Sequence, residues 1–385
     1  MDILMECCCG LDIHKDMVEA CILKGTLERP EAIRARFSAD RQALRELAGW
    51  LGEHECYYVA MESTGIYWRT VYETIEEYAC RCDCLMVVNA QHMRNLPGRK
   101  SDVKDAEWIA TLLRHGLLEP SFVPPKDERM IREFSRLHRS LLCEKNRCAA
   151  QLEKFLQAHG FKLSCVMNDI HSVIGRKLLD CLAQSGELTA EDVLCQAGRR
   201  LKLPLETICA AVCGVLHPAE QRMLQLLLKR LDEVRENLKE VDGELLRLAE
   251  PYGRQMEILD SIPGIDKLAA ATILGEIGTC PQNHFPTSQQ LTSWAGLVPR
   301  NDESAGKIKS RKILPGNPYI KCILCQVSWV AVRTRKSHFH EWFWCRQGRL
   351  GRKKAIVAVS RKMLELIYYL LASDQLYNLE LAHVR

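Results

Sequence analysis

The chain has 385 residues, room for two or three domains with cores of their own, and 26% of the residues are charged. It has no run of about 18 apolar residues to span a membrane, and its start, Met-Asp-Ile-Leu-Met-Glu, lacks the basic region and cleavage site of a secretory signal, so the expected location is the cytoplasm. The net charge of +4 hides a strong asymmetry: residues 294–364 carry 16 Lys and Arg against 3 Asp and Glu, an excess that points to nucleic-acid phosphates rather than to a merely solvated face.

Residues 7 to about 115 read as alternating strands and helices. Cys8 to Ile13, Val18 to Leu23 and Ala32 to Phe37 form three strands in hairpin order. Asp40 opens a helix through Leu51, with Leu44, Leu47 and Leu51 inward. Tyr57 to Met61 is a buried strand. Ser63-Thr64-Gly65 is expected to cap a helix bearing Tyr67, Trp68, Val71 and Ile75, and Cys84 to Val88 is the next strand. This order predicts an α/β domain with a mixed sheet. Pro124-Pro125 is expected to close it, giving a first domain over 1–125.

A long helix then spans Asp127 to Ala158, with Phe134, Leu141, Cys148 and Phe155 seven apart; His138 and Lys145 interrupt its second seam position. Residues 161–215 break into helical fragments. From 218 to 248 the residues Leu224, Leu227, Leu231, Val234, Leu238, Val241, Leu245 and Leu248 step by threes and fours, an unbroken heptad seam. The middle, 126–253, is therefore expected to be a helical coiled coil with a helical insertion. The last part, 254–385, is expected to be mainly α. It starts with a hairpin at Ser261-Ile262-Pro263-Gly264, which is either a helix-hairpin-helix offering backbone N–H groups to phosphate or an ordinary αα-hairpin. Trp342, Phe343 and Trp344 are either a core anchor or a base-stacking platform, with core the favoured reading.

Most of the 19 cysteines fit reduced, buried small hydrophobes. Cys80, Cys82 and Cys84, and separately Cys322 and Cys325, fall short of the four ligands of a closed zinc site.

The sharpest chemistry is acidic. Asp12 and Glu62 end strand-like runs, and Asp102 and Asp105 stand three apart at a helix start, on one face. Four carboxylates converging would repel one another unless a cation sat among them, and hard oxygen ligands suit Mg²⁺. Helix capping is the alternative use of such aspartates. Acids at strand ends and on a late helix fit a ribonuclease-H-like fold and two-metal phosphoryl transfer. Ser304 lies in a small-residue loop followed by Lys307, Lys309, Arg311 and Lys312; on composition alone it is a plain loop serine, and beside a metal cluster it becomes an attacker of phosphate.

The chain resembles the insertion-sequence 110-type transposases. The resemblance rests on Gly10-Leu11-Asp12-Ile13-His14-Lys15, Met61-Glu62-Ser63-Thr64-Gly65 and Ser101-Asp102-Val103-Lys104-Asp105-Ala106. It continues through Val123-Pro124-Pro125, Glu144-Lys145-Asn146-Arg147 and Ile262-Pro263-Gly264-Ile265. It ends with Trp294-Ala295-Gly296-Leu297-Val298-Pro299, Ser304-Ala305-Gly306-Lys307 and Lys353-Lys354-Ala355-Ile356-Val357-Ala358. It covers about residues 8 to 378. It implies a RuvC-like N-terminal domain, Mg²⁺ held by Asp12, Glu62, Asp102 and Asp105, and a C-terminal transposase domain with Ser304 as nucleophile. It also implies donor and target DNA as substrates and a structured bridge RNA as guide. Arg94, Arg99, Lys100 and Lys104 beside the acids, the cations at 307, 309, 311 and 312, and Arg352, Lys353 and Lys354 are the expected nucleic-acid contacts. The heptad seam suggests a homo-oligomer, a dimer assembling to a tetramer, in which the acids of one subunit meet Ser304 of another. A RuvC-like junction-resolving endonuclease would share the acids without needing Ser304. An actin-like kinase would need later glycine-rich phosphate loops on strands, and a scaffold would survive loss of the acids.

Overall fold

The computed structural model describes residues 5–26, 30–63, 65–89, 105–167, 169–197, 203–299, 302–304, 307–310, 312–313, 315–335 and 337–378. The chain divides into two units, Met1–Val123 and Pro124–Arg385.

The first unit is built on a five-stranded sheet in the order β3-β2-β1-β4-β5. β1 (Cys7–Ile13), β2 (Met17–Lys24) and β3 (Glu31–Ser38) form an antiparallel meander, and β4 (Tyr58–Glu62) and β5 (Cys84–Val88) run parallel to β1. Period-two alternation splits the strand residues between two cores. Cys9, Leu11, Ile13, Val59 and Met61 pack with Leu44, Leu47 and Leu51 of α1 (Arg41–Glu53) and with Val71 and Ile75 of α2 (Trp68–Tyr78). On the opposite face Cys8 and Ala60 pack with Ala106, Ile109, Ala110 and Leu113 of α3 (Asp105–Arg114). The mixed sheet with helices thus matches the expected α/β pattern. Asp40 caps α1 through bonds from the Gln42 and Ala43 amides, both 3.0 Å.

One local expectation fails. Neither Ser63 nor Gly65 caps α2, which begins at Trp68 with Tyr67 in the N-cap position, and Thr64 lies outside the described residues. The Ser63 amide instead donates to the Val88 carbonyl at 2.9 Å and extends the β4–β5 ladder, because pairing with β5 outcompetes a local turn.

Cys8, Cys9, Cys21 and Cys56 are buried in these cores. Cys7 differs: a hydrogen bond with Cys56, aided by Lys24, holds its half-buried thiol down to about 7. Cys7 is therefore expected to react with iodoacetamide with a midpoint near pH 7, followed by peptide mass spectrometry, and Cys56→Ala should move that midpoint up toward the ordinary thiol range. A wild-type midpoint already in the ordinary range would refute the assignment.

The second unit starts with α4 (Lys126–Ala158), which packs against α9 (Pro218–Ala249). Between them lie α5 (Leu163–Val166), α6 (Val173–Ser185), α7 (Ala190–Ala197), α8 (Leu205–Val212) and a two-stranded ribbon, β6 (Glu187–Leu188) with β7 (Gly214–Val215). This insertion packs on Leu152, Phe155 and Leu156 of α4 and Leu224, Leu228 and Leu231 of α9. A capping box between His217 and Glu220 starts α9.

The buried stripe of α9 is Leu224, Leu228, Leu231, Val234, Leu238, Val241, Leu245 and Ala249. It departs from the expected seam at both ends, where Leu227 and Leu248 are only half-buried. A stripe that drifts this way follows the ordinary α period rather than a strict 3.5-residue repeat. His138, which interrupts the apolar seam of α4, meets Asp242 of α9, with Nε2 and Oδ1 3.1 Å apart.

The unit continues through α10 (Gly253–Asp260), α11 (Lys267–Ile277), α12 (Ser288–Trp294), the hairpin of β8 (Asp302–Ser304) and β9 (Lys307–Ser310), α13 (Pro318–Ala331), α14 (His338–Leu350) and α15 (Arg352–Ser373). α11 is buried nearly all round and touches both α4 and α13. The turn before it packs inward: Gly264, at φ +93°, lies where a Cβ would come within 2.6 Å of the Val327 carbonyl oxygen of α13. Packing against α13 therefore accounts for this glycine.

Candidate active site

The acids at the strand ends are brought together by strand register. Leu11 pairs with Met61 across the parallel β1–β4 ladder, so Asp12 and Glu62 follow side by side. Both lie, by alternation, on the face covered by α3. α3 begins at Asp105 and can settle on β1 only because residue 10 is glycine. A Cβ there would stand 2.1 Å from the Ala106 carbonyl oxygen and 2.4 Å from the Ala110 nitrogen. That close approach carries the first residue of α3 toward Asp12.

The electrostatics register the crowding. Burial raises the Asp12 carboxyl above its ordinary range; Asp105 and Glu19 push it further up, and His14 opposes them. The His14 Nε2 and Asp12 Oδ2 are 3.1 Å apart. A buried carboxylate repelled by two neighbouring acids is a donor set that fits a hard divalent cation. Among the described residues, no three His, Cys, Asp or Glu side chains are close enough to form a metal cage. Asp102 lies outside the described residues, as do Arg94, Arg99, Lys100, Lys104 and Arg311.

Two neighbours of Asp12 were not singled out by sequence reasoning. Glu19 pairs directly with Asp12 in the β1–β2 register and is held by an ion pair with Arg36. His14 follows Asp12 by two residues. Counting back from the tight turn at 14–16 would have found the first, and strand alternation the second.

The second expected catalytic element is the β8–β9 hairpin. The backbone of Ser304 pairs with that of Lys307, and Lys309 follows on β9. The base of the hairpin is tightly bound to the second unit. Pro299 bridges to Ile313, the Asn317 amide donates to the Trp294 carbonyl at 3.2 Å, and Gly316 lies where a Cβ would be 2.3 Å from the Gly296 nitrogen. Asn317 also caps α13, accepting from the amides of Tyr319 and Ile320, and its Nδ2 donates to Glu276 Oε2 at 2.6 Å.

Glu276 is fully buried on α11 and is the anchor of this region. Arg136 of α4 binds it with two hydrogen bonds, 2.8 and 3.0 Å. Arg132 donates to the carbonyls of Gly275 and Glu276 at 3.0 and 2.9 Å. Burial brings Arg132 down to about 10 against the pull of Glu276.

Of the remaining expected contacts, Lys312 is exposed, and Arg352, Lys353 and Lys354 are exposed in the first turn of α15. The aromatic triplet is not uniformly core. Phe343 is 2% exposed, whereas Trp344 is 51% exposed and Trp342 is half-buried under the Arg346 guanidinium, 4.1 Å from its ring. Helical geometry forces the difference: three consecutive residues point about 100° apart, so they cannot all face the interior.

Comparison with known proteins finds transposase families in both parts of the chain. Residues 9–160 match the IS110-type DEDD transposase family, and residues 256–343 match the transposase family IS116/IS110/IS902. The chain is 27% identical over 193 residues to the transposase for insertion sequence element IS1111A of Coxiella burnetii, 48% of this chain and 51% of that protein. It is 28% identical over 168 residues to y4pF/y4sB of Sinorhizobium fredii, 42% of this chain and 40% of that protein. It is 24% identical over 181 residues to a family 20 transposase of Pseudomonas aeruginosa, 45% of this chain and 52% of that protein. The last two carry the name transposase by inference. The chain thus spans about half the length of the curated relatives it matches. With the DEDD transposase domain over 9–160 and the second transposase domain over 256–343, the chain carries the paired transposase domains of the IS110 family.

Proposed function

We propose that the chain is a DNA transposase that cuts, exchanges and rejoins strands at a site built from four acids and a serine. The observation that carries this reading is the strand register that sets Asp12 beside Glu62, with the close approach at Gly10 carrying Asp105 toward Asp12. The strand order and the placement of these acids support a ribonuclease-H- and RuvC-like first domain over 1–125, followed by the helical middle over 126–253 and the C-terminal transposase domain over 254–385.

Asp12, Glu62, Asp102 and Asp105 would hold Mg²⁺, which when bound neutralises phosphate charge as it builds in the transition state. His14, whose Nε2 lies 3.1 Å from Asp12 Oδ2, would keep that carboxylate oriented. The Ser304 hydroxyl attacks the scissile phosphorus, loses its proton, and forms a serine–phosphate ester as a deoxyribose hydroxyl leaves. A hydroxyl from the exchange partner then attacks the ester, rejoining DNA and restoring the serine. Lys307, Lys309, Arg311, Lys312 and Arg352, Lys353 and Lys354 would hold strand phosphates. So would Arg94, Arg99, Lys100 and Lys104 near the acids.

Guidance by a structured bridge RNA fits a chain with no zinc-finger pattern and no evident recognition helix, since base pairing would supply the specificity. The outer faces of the long α4–α9 pair would pair with a second copy in dimers that assemble to tetramers, with the acids of one subunit completing the serine site of another.

The test is recombination between donor and target plasmids, with the element's flanking non-coding RNA present or absent, for wild type, Asp102→Ala and Ser304→Ala. The expected result is activity that needs the RNA and both residues, with partial recovery when the two inactive variants are mixed. Loss with Asp102→Ala but not Ser304→Ala would replace the serine by water or a DNA hydroxyl and favour a junction-resolving nuclease. Failure of the mixture to recover would confine the site to one subunit.

A further inference from the structure

The face carrying Trp344 combines cations already read as phosphate contacts with an exposed indole that the reading above leaves without a role. On α9 exposed cations have acidic partners: Lys229 with Glu233, Lys239 with Glu236, Arg247 with Glu244. Such a surface is already neutralised. Around α14 the pattern reverses. Arg333, Arg349, Arg352, Lys353 and Lys354 are exposed and have no ion-pair partner among the described residues. Three of these five cations crowd the first turn of α15, where the helix dipole is itself positive. That helix start has no acid in its first turn and no side-chain cap, so nothing local offsets the charge. An arrangement like this is costly alone and is relieved by an anion such as phosphate.

Trp344 lies on α14, the helix that runs into this positive turn. Half of its surface is exposed, an unusual position for an indole. Its ring is fixed from behind by Phe343, 5.7 Å away and edge-on, and flanked by His340 at 6.0 Å. Phe343 in turn contacts Trp329, 36% exposed, at 5.8 Å. One helical turn beyond Trp344 is Gly348, where a Cβ would meet nothing within 4 Å, so that position on the helix is open. Seven residues of helix rise span about 10 Å, a reach of one to two nucleotides. The exposed apolar ring could also suit a protein partner, but the 16-to-3 excess of cations over acids in this segment favours a polyanion.

We propose that Trp344 is a stacking platform for an unpaired base, and that the phosphates of the same strand run over Gly348 to the N-terminal turn of α15. The ligand class is single-stranded nucleic acid: a looped or unpaired stretch of RNA, or DNA opened during exchange. Stacking on an indole is tolerant of base identity, and phosphate contact supplies the salt-dependent share of affinity. The proposal rests on nucleic acid being the partner in the reading above, and deepens it by naming a site for unpaired bases.

The test uses the full chain and fluorescence anisotropy with three probes: short oligouridylate, short oligothymidylate and a blunt DNA duplex. Trp344→Ala is expected to weaken single-strand binding about ten-fold, with duplex binding changed less than about two-fold. Trp344→Phe should keep most of the affinity and shows that a ring, not the fold, is at issue. The slope of affinity against salt should be unchanged in Trp344→Ala and reduced in Lys353→Gln, because stacking releases no counterions. A loss on oligouridylate alone identifies RNA as the occupant, and a loss on both identifies any unpaired strand. Equal losses on single strand and duplex, or no loss, overturn the platform. A fall in oligomer size for Trp344→Ala in sedimentation, without loss of single-strand binding, overturns it in favour of a contact between copies. Wild type binding no probe at all would defeat the nucleic-acid reading itself.

Discussion

Gly10→Ala is expected to lower the stability of the first unit by about 3 kcal/mol or more in urea unfolding, the upper range for overpacking a tight core. The added methyl would lie 2.1 and 2.4 Å from backbone atoms of α3, and a helix backbone cannot rotate out of the way as a side-chain end can. α3 must therefore move bodily away from β1. Asp105 is its first residue, so Asp105 leaves Asp12 at the same time. A shift of about 1 Å in a reacting constellation costs on the order of a hundred-fold in rate, and recombination should fall by at least that much even where the variant stays folded. Gly49→Ala is the matched control. Gly49 lies inside α1 with nothing within 4 Å of a Cβ, so alanine there should add about 0.5–1 kcal/mol through helix propensity. Gly10→Ala as stable as wild type would mean that α3 does not need the close approach.

Glu276→Ala should be the most damaging change in the second unit, at about 3–5 kcal/mol, the cost of leaving a buried ion-pair partner alone. The carboxylate is fully buried and accepts from Arg136 and Asn317. Its removal strands Arg136 and frees the side chain that caps α13, at the foot of the β8–β9 hairpin. Glu276→Gln should cost less, about 1–3 kcal/mol, because the shape and part of the bonding survive. Replacing both partners by apolar residues, Arg136→Met with Glu276→Leu, should recover part of the loss, since the Arg136 charge is removed with its partner. Glu244→Ala, which breaks an exposed pair with Arg247, should change stability by less than about 1 kcal/mol. A Glu276→Ala protein whose urea midpoint matches that of Glu244→Ala would show that the buried network does not hold this region.

The legible parts of the molecule are those governed by near neighbours in the chain. The strands of the first sheet, the inward leucines of α1, and the acids at the ends of β1 and β4 follow from short apolar runs, because alternation and helical period depend only on residues a few positions apart. Asp12 and Glu62 were legible because a strand end exposes whatever residue comes next, and a register between parallel strands then aligns them. What packs against those elements is decided elsewhere. Leu228 rather than Leu227 turns inward on α9 because its position is set by the helices of the insertion, which nothing in the heptad encodes. Glu276 looks like any helical glutamate until Arg136, 140 positions earlier, and Asn317, 41 later, close over it. Phe343 and Trp344 are adjacent and chemically alike, yet the packed helices cover one and leave the other to solvent. Sequence by itself determined the periodicities, the acidic strand ends and the charge asymmetry, since each is local or additive. Only tertiary structure decided which of two similar side chains is buried and which distant charges meet, since both depend on surfaces brought together from far apart in the chain.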